Sequence, residues 1–541
     1  MAARRGTRPR LGDVVSRLDP LTATTFDLLI VGGGINGAGL AREAALHGLR
    51  VALVEANDYG WGTTWRSTKL IHGGLRYLQH LEIGLVREAL RERGRLTRMA
   101  PHLVRPLDFV VPVYHDGRRP PWQVSVGLTL YDLLVLPGKD FRRHRRVTEQ
   151  ELMRLAPATR RDGLRAAFRY QDARCDFPER LCWENVRDAC ALGATALNHV
   201  RVERLLIASG RVVGAAISDR LDGGTAEARA AVVVNAAGPW ADAVVAGGRR
   251  LVGGTRGTHL VADLGPGAPG VALYAEAFRD GRPFFVVPWR GAWLIGTTDV
   301  VHEKSPDDLL PEPWEVEYLW EATRWLLPGL QTGPECVRYA YAGVRPLPSA
   351  TGREAGAITR RHQVVDHSAD GIEGCFSLVG GKLGTFRSLA EEATRIVLGR
   401  LGRPRHPAHS ERRPLAGRAP ARLRSGPYGV YGHRAPLAAR LEGEAEGLAA
   451  PLCPHTAATG AMVLYAARHE QARTLADALL RRTPAAWASC NGRDAALGAA
   501  RIMAREIGWD EREIERQRAW YAGEVARAFR SAPDLPTGAT R

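Results

Sequence analysis

Gly32, Gly34 and Gly37 stand in the spacing G-x-G-x-x-G immediately after the apolar run Phe26 to Val31. An Ala-rich segment follows, then a second apolar run, Val51 to Val54, that ends on Glu55. This is the pattern of a β-α-β unit whose turn grips a pyrophosphate. Gly32 permits the tight turn, Gly34 lets the backbone approach the phosphates, and Gly37 lets helix pack on strand. Free N–H groups at the helix start then face the anion. An acid closing the second strand accepts hydrogen bonds from an adenosine ribose, which selects FAD or NAD over NADP but does not separate those two.

Two further stretches carry chemistry. Thr63-Thr64-Trp65-Arg66-Ser67-Thr68-Lys69-Leu70-Ile71-His72-Gly73-Gly74-Leu75-Arg76-Tyr77-Leu78 combines hydroxyls, a lysine, His-Gly-Gly and Arg-Tyr. Its glycines let backbone lie close against a flat ring. Gly380-Gly381-Lys382-Leu383-Gly384-Thr385 is a glycine turn that opens a helix, aiming backbone donors at an electron-rich group. Lysine occurs only at 69, 139, 304 and 382, and arginine serves nearly everywhere else. Two of the four lysines thus lie in these stretches, where a compact ammonium and a guanidinium fork are not interchangeable.

The elements that must position these residues are legible from periodicity and turn residues. Ala230 to Asn235, followed by Ala236-Ala237-Gly238-Pro239-Trp240, reads as a buried strand returning to the nucleotide sheet, so the nucleotide fold is interrupted by a long insertion. Strand-like runs at 256–261, 284–289 and 292–299 are expected to build the substrate layer. Leu81 to Met99 and Glu179 to Leu192 read as helices, the latter burying Cys182 and Cys190, and Leu107 to Tyr114 as a strand. Arg142 to Arg165 is polar and helical in character. Residues 1–24 form a basic flexible tail, 25–402 the nucleotide domain with the interleaved substrate domain, 403–418 a Pro/Arg/His-rich linker, and 419–541 a helical domain. Within that last domain Thr459 to Arg482 and Asp494 to Phe529 have helical periodicity.

The chain has 541 residues, 45% of them hydrophobic and 25% charged, which predicts a multidomain globular protein. Its net charge of +17 predicts attraction to an anionic surface or substrate. The arginines are dispersed, not set in a stripe with aromatic platforms, which argues against nucleic acid as a partner. Seven cysteines include no C-x-x-C pair and no metal-ligand spacing, so reduced thiols in a cytoplasmic compartment and no metal are expected. The arginine-rich N-terminus lacks a signal-type apolar core. Val124 to Leu136 is the most apolar window, too short to span a membrane and read as a core helix in preference to a membrane contact.

In chain order, the blocks G-G-G-I-N-G-A-G, S-T-K-L-I-H-G-G-L-R-Y-L, N-A-A-G-P-W, R-G-T-H, G-T-T-D, G-V-R-P-L, A-I-T-R and G-G-K-L-G-T-F-R resemble the FAD-dependent glycerol-3-phosphate dehydrogenase family from Phe26 to Ile396. Leu480-Arg481-Arg482-Thr483 and Gly508-Trp509-Asp510 are similar to that family's helical cap. The resemblance implies an α/β protein: a glutathione-reductase-like FAD-binding Rossmann domain, an interleaved antiparallel β-sheet substrate domain and a C-terminal α-helical domain. It implies oxidation of sn-glycerol 3-phosphate to dihydroxyacetone phosphate by hydride transfer to flavin N5, with electrons passed to a membrane quinone. By the family pattern Arg345 and Lys382 lie at the substrate, and Arg76, Tyr77 and Arg360 hold its phosphate with Thr298 as neighbour. His259 is the candidate base, since a neutral imidazole accepts a proton near pH 7. FAD is assigned to Gly32, Gly34, Asn36, Gly37, Glu55, Thr63, Thr64, Ser67, Lys69, Leu70, His72, Val200, Gly238, Leu383 and Thr385. Trp61 and Trp65, where small residues are more usual, and Asp176-Phe177-Pro178-Glu179 depart from the pattern.

Rivals are the oxygen-using glycerol phosphate oxidase and, further off, an FAD-dependent amine or amino-acid oxidase. The latter needs one arginine for a carboxylate, so several converging cations count against it. Attachment to the inner face of the cell membrane accords with the basic charge, and a homodimer is compatible with the reading.

Overall fold

The computed structural model describes residues 16–80, 82–135, 141–245, 250–307, 309–349 and 360–531, and for Arg76, Gln79 and His80 the backbone alone. The basic tail therefore lies largely outside the described residues, as do the side chain of Arg76 and Ala357 to Thr359 of the A-I-T-R block.

Phe26–Val31 is apolar but for Asp27 and buried along its whole length, as a strand needs when it pairs on both edges. It runs parallel to Val51–Val54 on one side and to Thr225–Asn235 on the other, with Leu29 level with Ala52 and Val233. Thr195–Leu197 extends the parallel sheet beyond Val51–Val54, and Cys375–Val379 extends it beyond Thr225–Asn235. Three distant pieces of chain thus make one nucleotide sheet, which confirms the interruption. A parallel sheet must be covered by helices. Ile35–Leu46 packs against Pro178–Ala191 and Phe386–Arg400. A Cβ at Gly39 would stand 2.5 Å from the Phe386 ring, so only glycine admits that crossing.

Among the described residues the inserted segments supply ten strands of an eleven-stranded sheet whose last strand comes from the C-terminal region, antiparallel except where Ala272–Glu276 runs parallel to Val104–Tyr114. Thr255–Ala262 lies between Ala292–Gly296 and Val337–Arg345, bringing His259 level with Tyr341 and Thr255 level with Arg345. The segment 142–165 is less helical than its polarity predicts: Arg145–Val147 is a strand and Glu149–Leu155 a short helix, capped by the Thr148 hydroxyl.

The C-terminal region is helical but more broken than its periodicity predicts. Gly460–His469 ends at Glu470, whose carboxylate turns to Arg180 (Nη1 to Oε2 2.6 Å). Ala496–Ile507 and Glu511–Ala528 are separated at Gly508, left-handed at φ 81°. This region shares a core with the second sheet, through Trp487, Phe529, Trp65, Tyr339 and Tyr341. Arg530–Ser531 pairs along Tyr339 and Ala340 as an added edge strand. Buried ion pairs fasten it to the nucleotide domain: Arg482 grips Asp58 with both ends of its fork at 2.7 and 2.8 Å. Segment 403–418 has no helix or strand, yet is pinned, with Ala416 N–H on Asp188 and Arg403 on Asp27.

Candidate active site

A cavity of about 800 Å³ lies where the two sheets meet. The Gly32 turn forms one part of its wall. Gly32 has φ 108°, and a Cβ there would meet the Ala236 carbonyl at 2.7 Å. A Cβ on Gly37 would stand 1.9 Å from the Gly32 carbonyl, so this glycine lets helix close on strand and does not itself line the cavity. In front of Gly34 the nearest atom to such a Cβ is the Thr64 hydroxyl at 3.5 Å, which leaves an open cradle beside the helix start. Thr64 Oγ1 accepts from Ile35 N–H at 3.0 Å and so holds the following loop against that turn. Glu55 accepts from Gly33 N–H at 2.6 Å and Asn57 N–H at 2.8 Å. Burial pushes its carboxyl up, against the pull of those two donors.

Elsewhere on the wall, groups from two strands and several loops converge. Arg345 ends Val337–Arg345 and reaches Asp299 at 3.1 Å, while Arg360 reaches the other oxygen of the same carboxylate at 2.7 Å. Burial alone would raise Asp299, but the two guanidiniums outweigh it and hold the acid below its ordinary value. Gly257 makes room for this fork, since a Cβ there would come within 2.4 Å of Arg345 Nη2. Lys382 Nζ is buried without a hydrogen-bond partner and sits 3.9 Å over the Tyr77 ring. Burial, reinforced by Arg360, lowers its pKa to about 7. His259 is 2% exposed and stacks on Tyr341 with centroids 5.0 Å apart. Its Nε2 shares a 2.9 Å hydrogen bond with Thr68 Oγ1, leaving Nδ1 without a partner. Burial, with Arg345 and Lys69 nearby, holds this imidazole well below its usual pKa and so neutral. Burial likewise lowers His72, to about 4.

Seventeen of the residues expected from the sequence line this one cavity: Gly32, Gly34, Asn36, Glu55, Thr63, Thr64, Ser67, Leu70, His72, Tyr77, Val200, Gly238, His259, Arg345, Arg360, Lys382 and Leu383. Three side chains go elsewhere. Thr298 is turned inward, accepting from Thr258 N–H at 2.9 Å and donating to Glu315 at 2.7 Å, so it braces the sheet from behind. Thr385 is buried beneath the glycine turn, facing Lys382 N–H at 3.4 Å. Lys69 has φ 60°, rare outside glycine, and its ammonium leaves the cavity for a box of Trp65, Trp289, Tyr341 and Trp487. There it donates to the Trp65 carbonyl and lies 3.9 Å from Glu179. Sequence reasoning gave no site role to Asp299, although it closes the G-T-T-D block, or to Thr68. It also missed the mouth, where Trp61 lies 5.4 Å from Trp240 and donates to Glu524 of the C-terminal region at 3.0 Å. Nothing local to Glu524 announces that contact.

The residues fit a flavin dinucleotide. The Gly34 cradle is open, Gly238 at φ 58° has nothing within 4 Å of a Cβ, and Asn36 Oδ1 is buried without a partner. Fold and site together define a flavin-dependent oxidoreductase. A model of FAD-dependent oxidoreductases matches residues 27–381, and one of the C-terminal domain of alpha-glycerophosphate oxidase matches 423–514. The chain is 39% identical to a glycerol-3-phosphate dehydrogenase of Synechocystis over 91% of its length and 95% of that protein. It is 35% identical to an aerobic glycerol-3-phosphate dehydrogenase of Staphylococcus epidermidis over 70% of its length and 68% of that protein. The solved glycerol-3-phosphate dehydrogenase of Bacillus halodurans, complexed with FAD, superposes with a TM-score of 0.75 at 26% identity, covering 96% of this chain and 98% of that one. The chain belongs to the glycerol-3-phosphate dehydrogenase family of FAD-dependent oxidoreductases, and its cofactor is FAD.

Proposed function

We propose that this enzyme oxidises sn-glycerol 3-phosphate to dihydroxyacetone phosphate and passes the electrons to a membrane quinone, from the inner face of the cell membrane. The observation that carries the substrate is the convergence of Arg345, Arg360 and Lys382 on one cavity, with Asp299 as the carboxylate shared by the two arginines. That surplus suits a phosphate dianion, for which fork-shaped arginines are the best partners. A carboxylate-bearing amino acid would need fewer.

Bound FAD supplies the hydride acceptor for the hydrogen on C2. Around it, Arg360, Tyr77 and the Arg76 block hold the phosphate, and Thr298 steadies the strand behind them. Arg345 and Lys382 in its charged form stabilise negative charge developing on the C2 oxygen. His259 takes the hydroxyl proton at Nδ1, which carries the lone pair when Thr68 accepts from Nε2–H. A second assignment has its own support: Lys382, with a pKa of about 7, is closer to the value at which proton acceptance is efficient, and the pH profile separates the two.

The oxygen-using alternative draws on the C-terminal domain model, which describes an oxidase. Anaerobic addition of sn-glycerol 3-phosphate should bleach the flavin. Reoxidation should then be fast with a quinone and slow with air. Fast oxygen reoxidation gives the oxidase, and a flavin that stays yellow removes the substrate. Arg345→Ala should cut kcat while flavin content holds, whereas Gly34→Val should prevent FAD binding. Wild-type turnover in Arg345→Ala would overturn the site.

A further inference from the structure

Spacing along the chain pairs none of the seven cysteines, but the fold brings two of them together. Cys453 and Cys490 are 37 residues apart in sequence, and their sulfurs stand 3.8 Å apart. Among the described residues no other two cysteine sulfurs touch. Cys453 lies on the loop before Gly460–His469, which closes through Leu452 N–H on the Ala458 carbonyl at 2.8 Å. Cys490 lies on the loop after the turn Ala485–Trp487. That loop is held by Asn491 N–H on the Ala488 carbonyl at 2.9 Å and by the Tyr521 hydroxyl on the Asn491 carbonyl at 2.6 Å. A second contact spans the same two loops: His455, two residues past Cys453, is 3.4 Å from Asp494, four past Cys490. The sulfurs thus face each other across a seam that other residues hold in register. A disulfide requires the gap to close to about 2.05 Å, which moves two side chains on loops and displaces no helix or strand. The pair belongs to no metal centre, since among the described residues no three His, Cys, Asp or Glu side chains are grouped to hold one.

We propose that Cys453 and Cys490 form a redox-modification site, a dithiol that hydrogen peroxide converts reversibly to a disulfide stapling the two loops together. Cys490 is the half-buried member and meets the oxidant first. Burial raises its thiol and the Cys453 sulfur adds to the rise, while the N–H groups of Asp494 and Gly492 directed at it oppose both. The small thiolate fraction makes the site answer sustained peroxide in preference to traces. The Cys490 thiolate attacks one peroxide oxygen, the O–O bond breaks, and hydroxide leaves with the proton that Cys490 shed, giving water and a sulfenic acid. The Cys453 sulfur then attacks that sulfur, the S–O bond breaks, and a second water leaves with the Cys453 proton. Two thiols and one peroxide become one disulfide and two waters, with two electrons passing from sulfur to oxygen. The other five cysteines have no sulfur beside them to capture a sulfenic acid, and burial raises each of their thiols. Disulfides of reducing compartments are of this transient, sensing kind. The bridge would act on the loop that carries Trp487. The ring of Trp487 has Lys69 Nζ 4.1 Å from its centroid and lies 5.6 Å from Tyr341, which stacks on His259. Its carbonyl accepts from the Tyr339 hydroxyl at 2.8 Å. Closing the 37-residue loop therefore fixes the backing of the candidate base without touching the base itself.

The test treats the FAD-loaded enzyme with hydrogen peroxide, alkylates the remaining thiols under denaturing conditions and maps peptides without reductant. Two of the seven thiols should escape alkylation, one peptide should link Cys453 to Cys490, and dithiothreitol should reverse both. The midpoint of thermal unfolding should rise by about 3 °C or more on oxidation and fall back on reduction, while FAD content and turnover with a soluble dye hold. Cys453→Ser should lose the link and the rise, and should leave on Cys490 a sulfenic acid that dimedone traps. Cys490→Ser should lose the link and the rise as well. Seven thiols that all alkylate after peroxide, a link between other cysteines, or a link that leaves the midpoint where it was overturns the proposal. Failure of the functional reading looks different: substrate would not bleach the flavin, whatever the two thiols do.

Discussion

Two buried lysines on either side of the cavity wall show how one residue type is put to two uses. Lys382 stands over the Tyr77 ring with no hydrogen-bond partner, facing open space. Lys69 is equally buried, but it is satisfied by the Trp65 carbonyl, lies near Glu179 and is walled in by aromatic rings, closest to Trp487 at 4.1 Å. Burial lowers both, to about 7 for Lys382 and about 8 for Lys69. The remaining difference is connectivity. Lys69 ties the loop to Glu179 on the Pro178–Ala191 helix and to Trp487 of the C-terminal region. Lys382 keeps its bonding capacity for a ligand, and a buried amine held free in this way is an expensive arrangement that function explains.

Substitution should separate the two. Lys69→Met is expected to cost about 3 kcal/mol of stability, the low end for breaking a buried pair, because Glu179 can take a proton. Denaturant unfolding measures it, and flavin reduction per bound FAD should stay within a few fold of wild type. Lys382→Met should do the reverse, slowing anaerobic flavin reduction by about 10²- to 10³-fold with no loss of stability. A stable Lys69→Met protein that reduces its flavin slowly would erase the distinction.

The pH dependence sharpens it further. A lysine whose folded pKa is lowered to about 7 is cationic below that value and neutral above it. If its charge is what the reaction needs, kcat/KM should fall about tenfold per pH unit above 7. Lys382→Arg, always charged, should abolish that limb, and bound dianion should move the kcat limb upward. A rise toward pH 7 in place of the fall would transfer proton acceptance from His259 to Lys382. The smallest effect is expected from Thr68→Val, which removes the hydroxyl on His259 Nε2 and frees the tautomer. One lost hydrogen bond of about 1 kcal/mol corresponds to roughly fivefold in kcat, with KM nearly unchanged, read by steady-state kinetics with a soluble dye.

The nucleotide end was legible because its determinants are local. Gly32, Gly34, Gly37 and Glu55 lie within one strand-helix-strand unit, and steric limits on glycine are expressed within a few residues. The strand runs of the substrate layer were legible for the same reason, since alternation and β-branching are properties of short segments. The breaks in the C-terminal helices were not: Glu470 leaves its helix to meet Arg180, 290 residues away in the chain. The Trp61 to Glu524 contact at the cavity mouth spans 463 residues and has no local signature.

The sequence by itself determined the flavin-binding turn, the interrupted nucleotide sheet and the family, because each is written in short blocks whose residue types have few physical alternatives. Only the tertiary structure decided which lysine faces the cavity, that Thr298 braces from behind, that Asp299 sets the two arginine forks, and that the apolar window after Pro121, read from sequence as a core helix, leaves Trp122, Val126 and Leu133 exposed on one face. Those outcomes depend on where a side chain points and what distant segment meets it, and both are settled when the sheets and helices pack, not by the residues on either side.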